Sequence, residues 1–186
     1  ARYIKLSALK NADNNNNIST QNFCLTANGT HSDLEIVVSP VGMARPGFDS
    51  GYVVTYRNKG NQVLSGNVLL TFDDDKIDLV FVEPVNNSQV TNTLIWNYSD
   101  LLPFETRTIG LMFNINSPME TPAVNGGDFL DFTASITPVA GDELPLDNEF
   151  IFHQGVVNSF DPNEITCIEG DTVSQERIGE YLHYLV

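Results

Sequence analysis

The chain has 186 residues, 41% of them apolar, which is enough to pack a core and excludes global disorder. Nine basic residues against 24 acidic ones give a formal charge of -15, with no basic stripe interleaved with aromatics, which argues against nucleic-acid binding. No apolar run approaches the ~20 residues of a membrane-crossing helix, and two cysteines are too few for a disulfide-dense scaffold or an all-cysteine zinc cage.

Residues 1–27 read as two short strands around the Asn-rich turn ADNNNN, whose residues tolerate left-handed backbone and cap their own amides. Two isolated strands cannot bury a hydrophobic face, so the segment is expected to be the closing hairpin of a preceding domain. ARYIKLSALK has basic residues without an apolar stretch after them, so no signal peptide is read there. Asn28-Gly29-Thr30-His31 then looks like a linker.

The main body spans 33–158. Candidate strands succeed one another at intervals of roughly a dozen residues, separated by turn signals, the pattern of a β-sandwich. DLEIVVSP places Leu34, Ile36 and Val38 on one face, and ARPGFDSG turns into a central strand where Tyr52, Val54 and Tyr56 alternate with Val53, Thr55 and Arg57. That stretch, Phe48 to Asn61, breaks at Asn58-Lys59-Gly60. VLLTFDDD, IDLVFVEP and TLIWNY come next, then ETRTIGLMFNIN with Ile109, Leu111, Phe113 and Ile115 aligned. FLDFTASITP, with Leu130, Phe132, Ala134 and Ile136 aligned, and NEFIFHQGVV close the set. No window has helical periodicity of sufficient length. The expected class is all-β, a sandwich of about seven to eight antiparallel strands. Pro40, Pro84, Pro103, Pro118 and Pro138 fall at strand ends, where a missing amide is harmless.

Residues 159–186 change character. SFDPNEITCIEGD is turn-rich and acidic, and RIGEYLHYLV begins a fresh strand, so the segment reads as an interdomain joint and the first strand of a following β domain.

The central strand and turn, with Gly51, Val54, Tyr56, Asn58, Lys59 and Gly60, resemble the G-x-x-V-x-Y-x-x-x-N-x-G signature of bacterial Ig-like modules of the conserved-repeat, adhesion-related kind. Leu94-Ile95-Trp96-Asn97, the Leu102-Pro103 turn and a last strand opened by Asp147-Asn148 extend the likeness over about two-thirds of the chain. Phrases such as NFCLTANGTHSDLEI, LPFETRTI, NSPMETPAVNGGD and VVNSFDPNEITCIEGD resemble large surface proteins of Bacteroidota, particularly flavobacteria. The resemblance implies an Ig-like sandwich in a secreted or cell-surface, outer-membrane-associated protein of the type IX-exported kind. It also implies that 1–27 ends a Cna-B-like or SdrD-B-like domain.

Catalysis has little to rest on. His31, His153 and His183 are scattered over linker, strand and tail, and no nucleophile elbow, H-E-x-x-H, Walker loop or G-x-G-x-x-G occurs. Carboxylates are numerous enough for a glycosidase-type pair, yet a sandwich without long loops offers no obvious cleft. No enzyme activity and no catalytic residue are expected. Calcium has one weak candidate site, Asp161, Asn163 and Glu164 in the C-terminal joint, with Glu169 and Asp171 shortly after. The competing reading is that Asp161 and Asn163 cap a turn. Asp73-Asp74-Asp75 is a second candidate, again weighed against a solvated turn, and neither matches EF-hand spacing.

Cys24 precedes the first strand of the sandwich and Cys167 comes after the last. An odd strand count would set them at opposite poles, roughly 26 Å apart for eight-residue strands, beyond the ~7 Å a disulfide tolerates. An even count would let them meet. Trp96, Tyr52 and Tyr56 would bind carbohydrate if exposed in a planar row, and pack between the sheets otherwise. Asp171-Thr172-Val173 fits a short O-glycosylation pattern and equally an ordinary turn. The leading expectation is a non-catalytic spacer in an adhesin-like array, partnered by neighbouring domains of its own chain. The alternative is a module binding extracellular glycan or protein, calcium-stabilised at the joint.

Overall fold

Alternating apolar and polar residues become strand along most of 34–155, because in each segment only one of the two faces can be kept from water. A computed structural model describes residues 28–158, together with 166–167, 181 and 184–185. In chain order the strands are β1 (Leu34–Val41), β2 (Asp49–Asn58), β3 (Leu64–Phe72), β4 (Ile77–Glu83), β5 (Ser88–Val90) and β6 (Thr93–Leu101). They continue with β7 (Thr106–Ile115), β8 (Phe129–Ile136), β9 (Glu149–Gly155), β10 (Thr166–Cys167) and β11 (Tyr184–Leu185). One 3-10 turn, Pro145–Asn148, leads into β9.

Two antiparallel sheets form the body, one of order β1-β2-β7-β4 and one of order β5-β6-β3-β8-β9; β10 and β11 pair separately. The expected all-β sandwich is what folds. Its additional strand, β5, has three exposed residues inside a run of turn-forming asparagines, so neither periodicity nor burial marked it.

The inward faces are those the alternation assigned. Leu34, Ile36 and Val38 meet Tyr52, Val54 and Tyr56, backed by Ile109, Leu111, Phe113 and Ile115, all buried. From the other sheet come Val68, Leu70, Phe72, Leu94, Trp96, Leu130, Phe132 and Ile136. Phe113 sits at the centre of an aromatic group, with ring centroids 4.8 Å from Phe72 and 5.8 Å from both Tyr52 and Phe132. Edge-to-face and tilted contacts of this kind add to the burial of large apolar area.

The nine strands of the two sheets are an odd number, and the chain therefore enters and leaves the sandwich at opposite poles. Ser32 bridges Asp142 at the N-terminal pole, and Ala44 bridges Val156 at the C-terminal pole, both in parallel.

Candidate functional site

The most elaborate polar structure lies at the N-terminal pole, where β2 ends on Asn58, only 1% exposed. Its Nδ2 donates to the carbonyls of Gln62 at 2.6 Å and Leu101 at 3.0 Å, and its Oδ1 accepts from Gly60 N–H at 2.9 Å. A buried carboxamide with its bonds made fixes the turn after β2. Lys59 and Gly60 then donate their N–H groups to Asp33 O at 2.6 and 3.2 Å, and Asn61 donates to His31 O at 2.8 Å. The incoming chain lies so close that a Cβ on Gly60 would come within 2.3 Å of His31 O and 2.9 Å of Asp33 N.

Charge gathers on this frame. Lys59 Nζ donates to Asp147 Oδ2 at 2.6 Å and stands 3.5 Å from Asp33 Oδ1 and 3.8 Å from Glu35 Oε1. Asp142 joins from the loop before β9, and one carboxylate oxygen each of Asp33, Asp142 and Asp147 lies within 4.8 Å of the others. Burial holds the Asp33 carboxyl above its usual range, against the pull of Lys59 and with help from Asp147 and Asp142. Lys59 is held above its usual value, first by its hydrogen bond to Asp147. Three carboxylates are a donor set that a hard divalent ion accepts. Here the Lys59 ammonium already supplies the positive charge, and Asp142 is engaged by backbone: its Oδ2 accepts from Leu34 N–H at 2.8 Å and its Oδ1 from Leu144 N–H at 2.9 Å. Chemically the cluster is an ion-pair and hydrogen-bond network that fastens loops together.

No family model matches the sequence, and no curated protein does. Among solved structures the chain is similar to a CARDB domain from Pyrococcus furiosus in complex with di-metal ions, at 14% identity, covering 72% of this chain and all (100%) of that one, TM-score 0.49. It is also similar to a cohesin module from a family 33 glycoside hydrolase of Clostridium perfringens, at 9% identity over 70% of this chain and 100% of that one, TM-score 0.45. CaCohA2 from Clostridium acetobutylicum is a further likeness, at 18% identity over 68% and 92%, TM-score 0.40. At these values the likeness transfers no site to this chain.

The residues singled out by sequence fare differently. Asp161, Asn163 and Glu164, with Glu169, Asp171, Thr172, Val173, Cys24 and His183, lie outside the described residues. Asp73-Asp74-Asp75 forms the β3–β4 turn, with Asp73 paired to Lys76 at 2.7 Å and Asp75 O accepting from Asn116. Tyr52, Tyr56 and Trp96 are 1%, 6% and 4% exposed, so they offer no planar row to a glycan. Trp96 Nε1 spends its one donor on Pro84 O at 2.9 Å. His31 is engaged at both ring nitrogens, by Glu143 and by Asn28 O, and His153 pairs with Asp131 at 2.6 Å on an exposed sheet face.

Sequence reasoning did not find the N-terminal cluster, because Asp33, Lys59, Asp142 and Asp147 are spread over more than a hundred positions. The Asn-Lys-Gly turn was the legible part. A shallow groove of about 560 Å³ lies on the outer face of β8 and β9, lined by Ser135, Val139, Leu146, Asn148, Glu149 and Ile151. An apolar row, Val41, Gly51, Met112 and Phe81, crosses the outer face of the other sheet. No helix among the described residues is long and apolar enough to cross a membrane.

Proposed function

We propose that this chain is a non-catalytic spacer: a β-sandwich that holds the two segments flanking it a fixed distance apart within a larger extracellular chain. The observation that carries this reading is that the chain enters β1 and leaves β9 at opposite poles of a sandwich whose Tyr52, Tyr56 and Trp96 pack inward. A rigid body with opposed ends sets a separation, whereas a binding module of the glycan type needs its rings outside. The domain plan goes with it: a closing hairpin over 1–27, the sandwich over 33–158, and a joint with the start of another β domain over 159–186. Secretion to the cell surface in a Bacteroidota-type, type IX-exported protein rests on the sequence resemblance. Opposed poles also favour separate partners for Cys24 and Cys167 over a bond between them.

Distance measurement tests the reading. Spin labels at cysteines introduced at Thr30 and Val157, with Cys24 and Cys167 replaced by serine, are expected at least ~26 Å apart, the length of an eight-residue strand. Labels within roughly half that distance would overturn it. A calcium ion at Asp161, Asn163 and Glu164 belongs to the alternative reading, a binding module stabilised at its joint, and an identical melting midpoint with and without chelator removes it.

A further inference from the structure

β1 and β9, the first and last strands of the sandwich, are edge strands of different sheets and run in the same direction, as the two parallel bridges show. The chain reaches β1 at the N-terminal pole and leaves β9 at the C-terminal pole. A pull on the two ends therefore acts along both strands. Ladder hydrogen bonds lie across the strands, so the pull loads the eight β1–β2 register pairs together, and likewise the seven between β8 and β9. Unzipping one pair at a time would need the two ends of a ladder pulled from the same side.

The segment ahead of β1 carries fastenings that no ladder requires. The Asn61 side chain imitates a strand partner: its Oδ1 accepts from His31 N–H at 2.7 Å and its Nδ2 donates to Gly29 O at 2.8 Å. Asp142 takes Leu34 N–H, and Glu143 N–H donates to Ser32 O at 2.8 Å. These ties run to the β2–β3 turn and to the loop before β9, so force on residues 29–34 reaches both sheets before it reaches the β1 ladder. At the other end, Val156 N–H donates to Asp128 O at 2.8 Å, Gly127 N–H to Val156 O at 2.8 Å, and Val157 N–H to Ala44 O at 2.9 Å.

We propose that the sandwich is a tension-bearing link, and that Asn61 and Asp142 form a clamp that takes the load ahead of the β1 ladder. This rests on the spacer reading, because only a chain with opposed ends is loaded lengthwise. The test is single-molecule stretching of the full chain, held by its two termini, at constant force. N61A removes three side-chain hydrogen bonds, two of them to the segment ahead of β1, and D142A removes two, one of them to Leu34; each is expected to raise the unfolding rate under load about tenfold or more. I136V, a buried β8 change of comparable equilibrium cost, serves as the matched control and is expected to raise the loaded rate far less. Clamp variants that unfold under load no faster than I136V, at matched loss of chemical stability, would overturn the clamp while leaving the label distance intact. A short label distance would instead remove the spacer reading itself.

Discussion

At the N-terminal pole Asn58 ends β2 with its carboxamide bonded to Gln62 O and Leu101 O; at the C-terminal pole Asn116 comes just after β7 and bonds Asp75 O at 2.9 Å and Pro122 O at 3.0 Å. Each pole thus has a buried asparagine stitching two loops to the end of one sheet strand, exposed 1% and 8%. Their surroundings differ. Around Asn58 stand Asp33, Lys59, Asp142 and Asp147. The C-terminal pole is closed mainly by main-chain bonds, such as Gly47 N–H to Ile115 O at 2.9 Å, with the Lys76–Asp73 pair at its rim. The same local device, an asparagine that satisfies orphaned loop carbonyls, therefore serves two acidic poles, each with a lysine held above its ordinary value first by a hydrogen bond to an aspartate, Asp147 for Lys59 and Asp73 for Lys76. The first gathers its carboxylates from three separate segments, the second chiefly from one turn.

The largest effect is expected from N58A. It strands two carbonyls and one N–H in a buried turn and should cost about 3 kcal/mol in chemical unfolding. N116A, at a more exposed position and losing the two bonds its Nδ2 donates, should cost roughly half as much. Equal losses would mean that the two poles are equivalent.

Glycine replacement sharpens the contrast. A Cβ at Gly60 meets backbone atoms, 2.3 Å from His31 O, whereas a Cβ at Gly126 meets chiefly the Asn158 side-chain oxygen at 2.0 Å, which can rotate away. G60A should destabilise by about 2 kcal/mol, and G126A by clearly less in the same thermal melt.

K59M probes the charge of the N-terminal pole. Because Lys59 is held above its ordinary 10.5, its contribution is fully present below that value and is lost as pH rises through the raised one. Asp33 is held above 3.8, so ionising it costs stability as pH rises, a cost that Lys59 offsets near neutrality. Wild type and K59M should therefore differ by about 1–2 kcal/mol at pH 7. The gap should narrow toward acid, where the carboxylates are protonated, and again at pH above 10.5. A pH-independent gap would reduce Lys59 to packing.

The smallest effect is expected at Glu105, which accepts from Leu102 N–H and Arg107 Nε, each at 2.7 Å. The Arg107 hydrogen bond, then that of Leu102, holds it below 4.5. Its contribution is present above 4.5 and lost as pH falls, so E105Q should lower the midpoint slightly at neutral pH and converge with wild type in acid.

Much of the fold was legible because period-two alternation leaves a strand little choice of face: Tyr52, Val54 and Tyr56 had to point inward together. β5 was not, since three exposed residues among asparagines carry no burial signal. Packing between the sheets was the favoured reading of Trp96 and the two tyrosines, and all three are buried. That outcome depended on which face of β6 turned toward the second sheet, and Trp96 turned in.

The amino-acid order by itself determined the all-β class, the inward faces of the long strands and the turn at Asn58-Lys59-Gly60, because these come from local periodicity and backbone freedom. Tertiary structure alone decided the strand parity that sets the entry to β1 and the exit from β9 at opposite poles, and the gathering of Asp33, Lys59, Asp142 and Asp147. Those are long-range properties: Lys59 and Asp147 become neighbours only once two sheets have closed on a shared core, and no local rule ties one to the other.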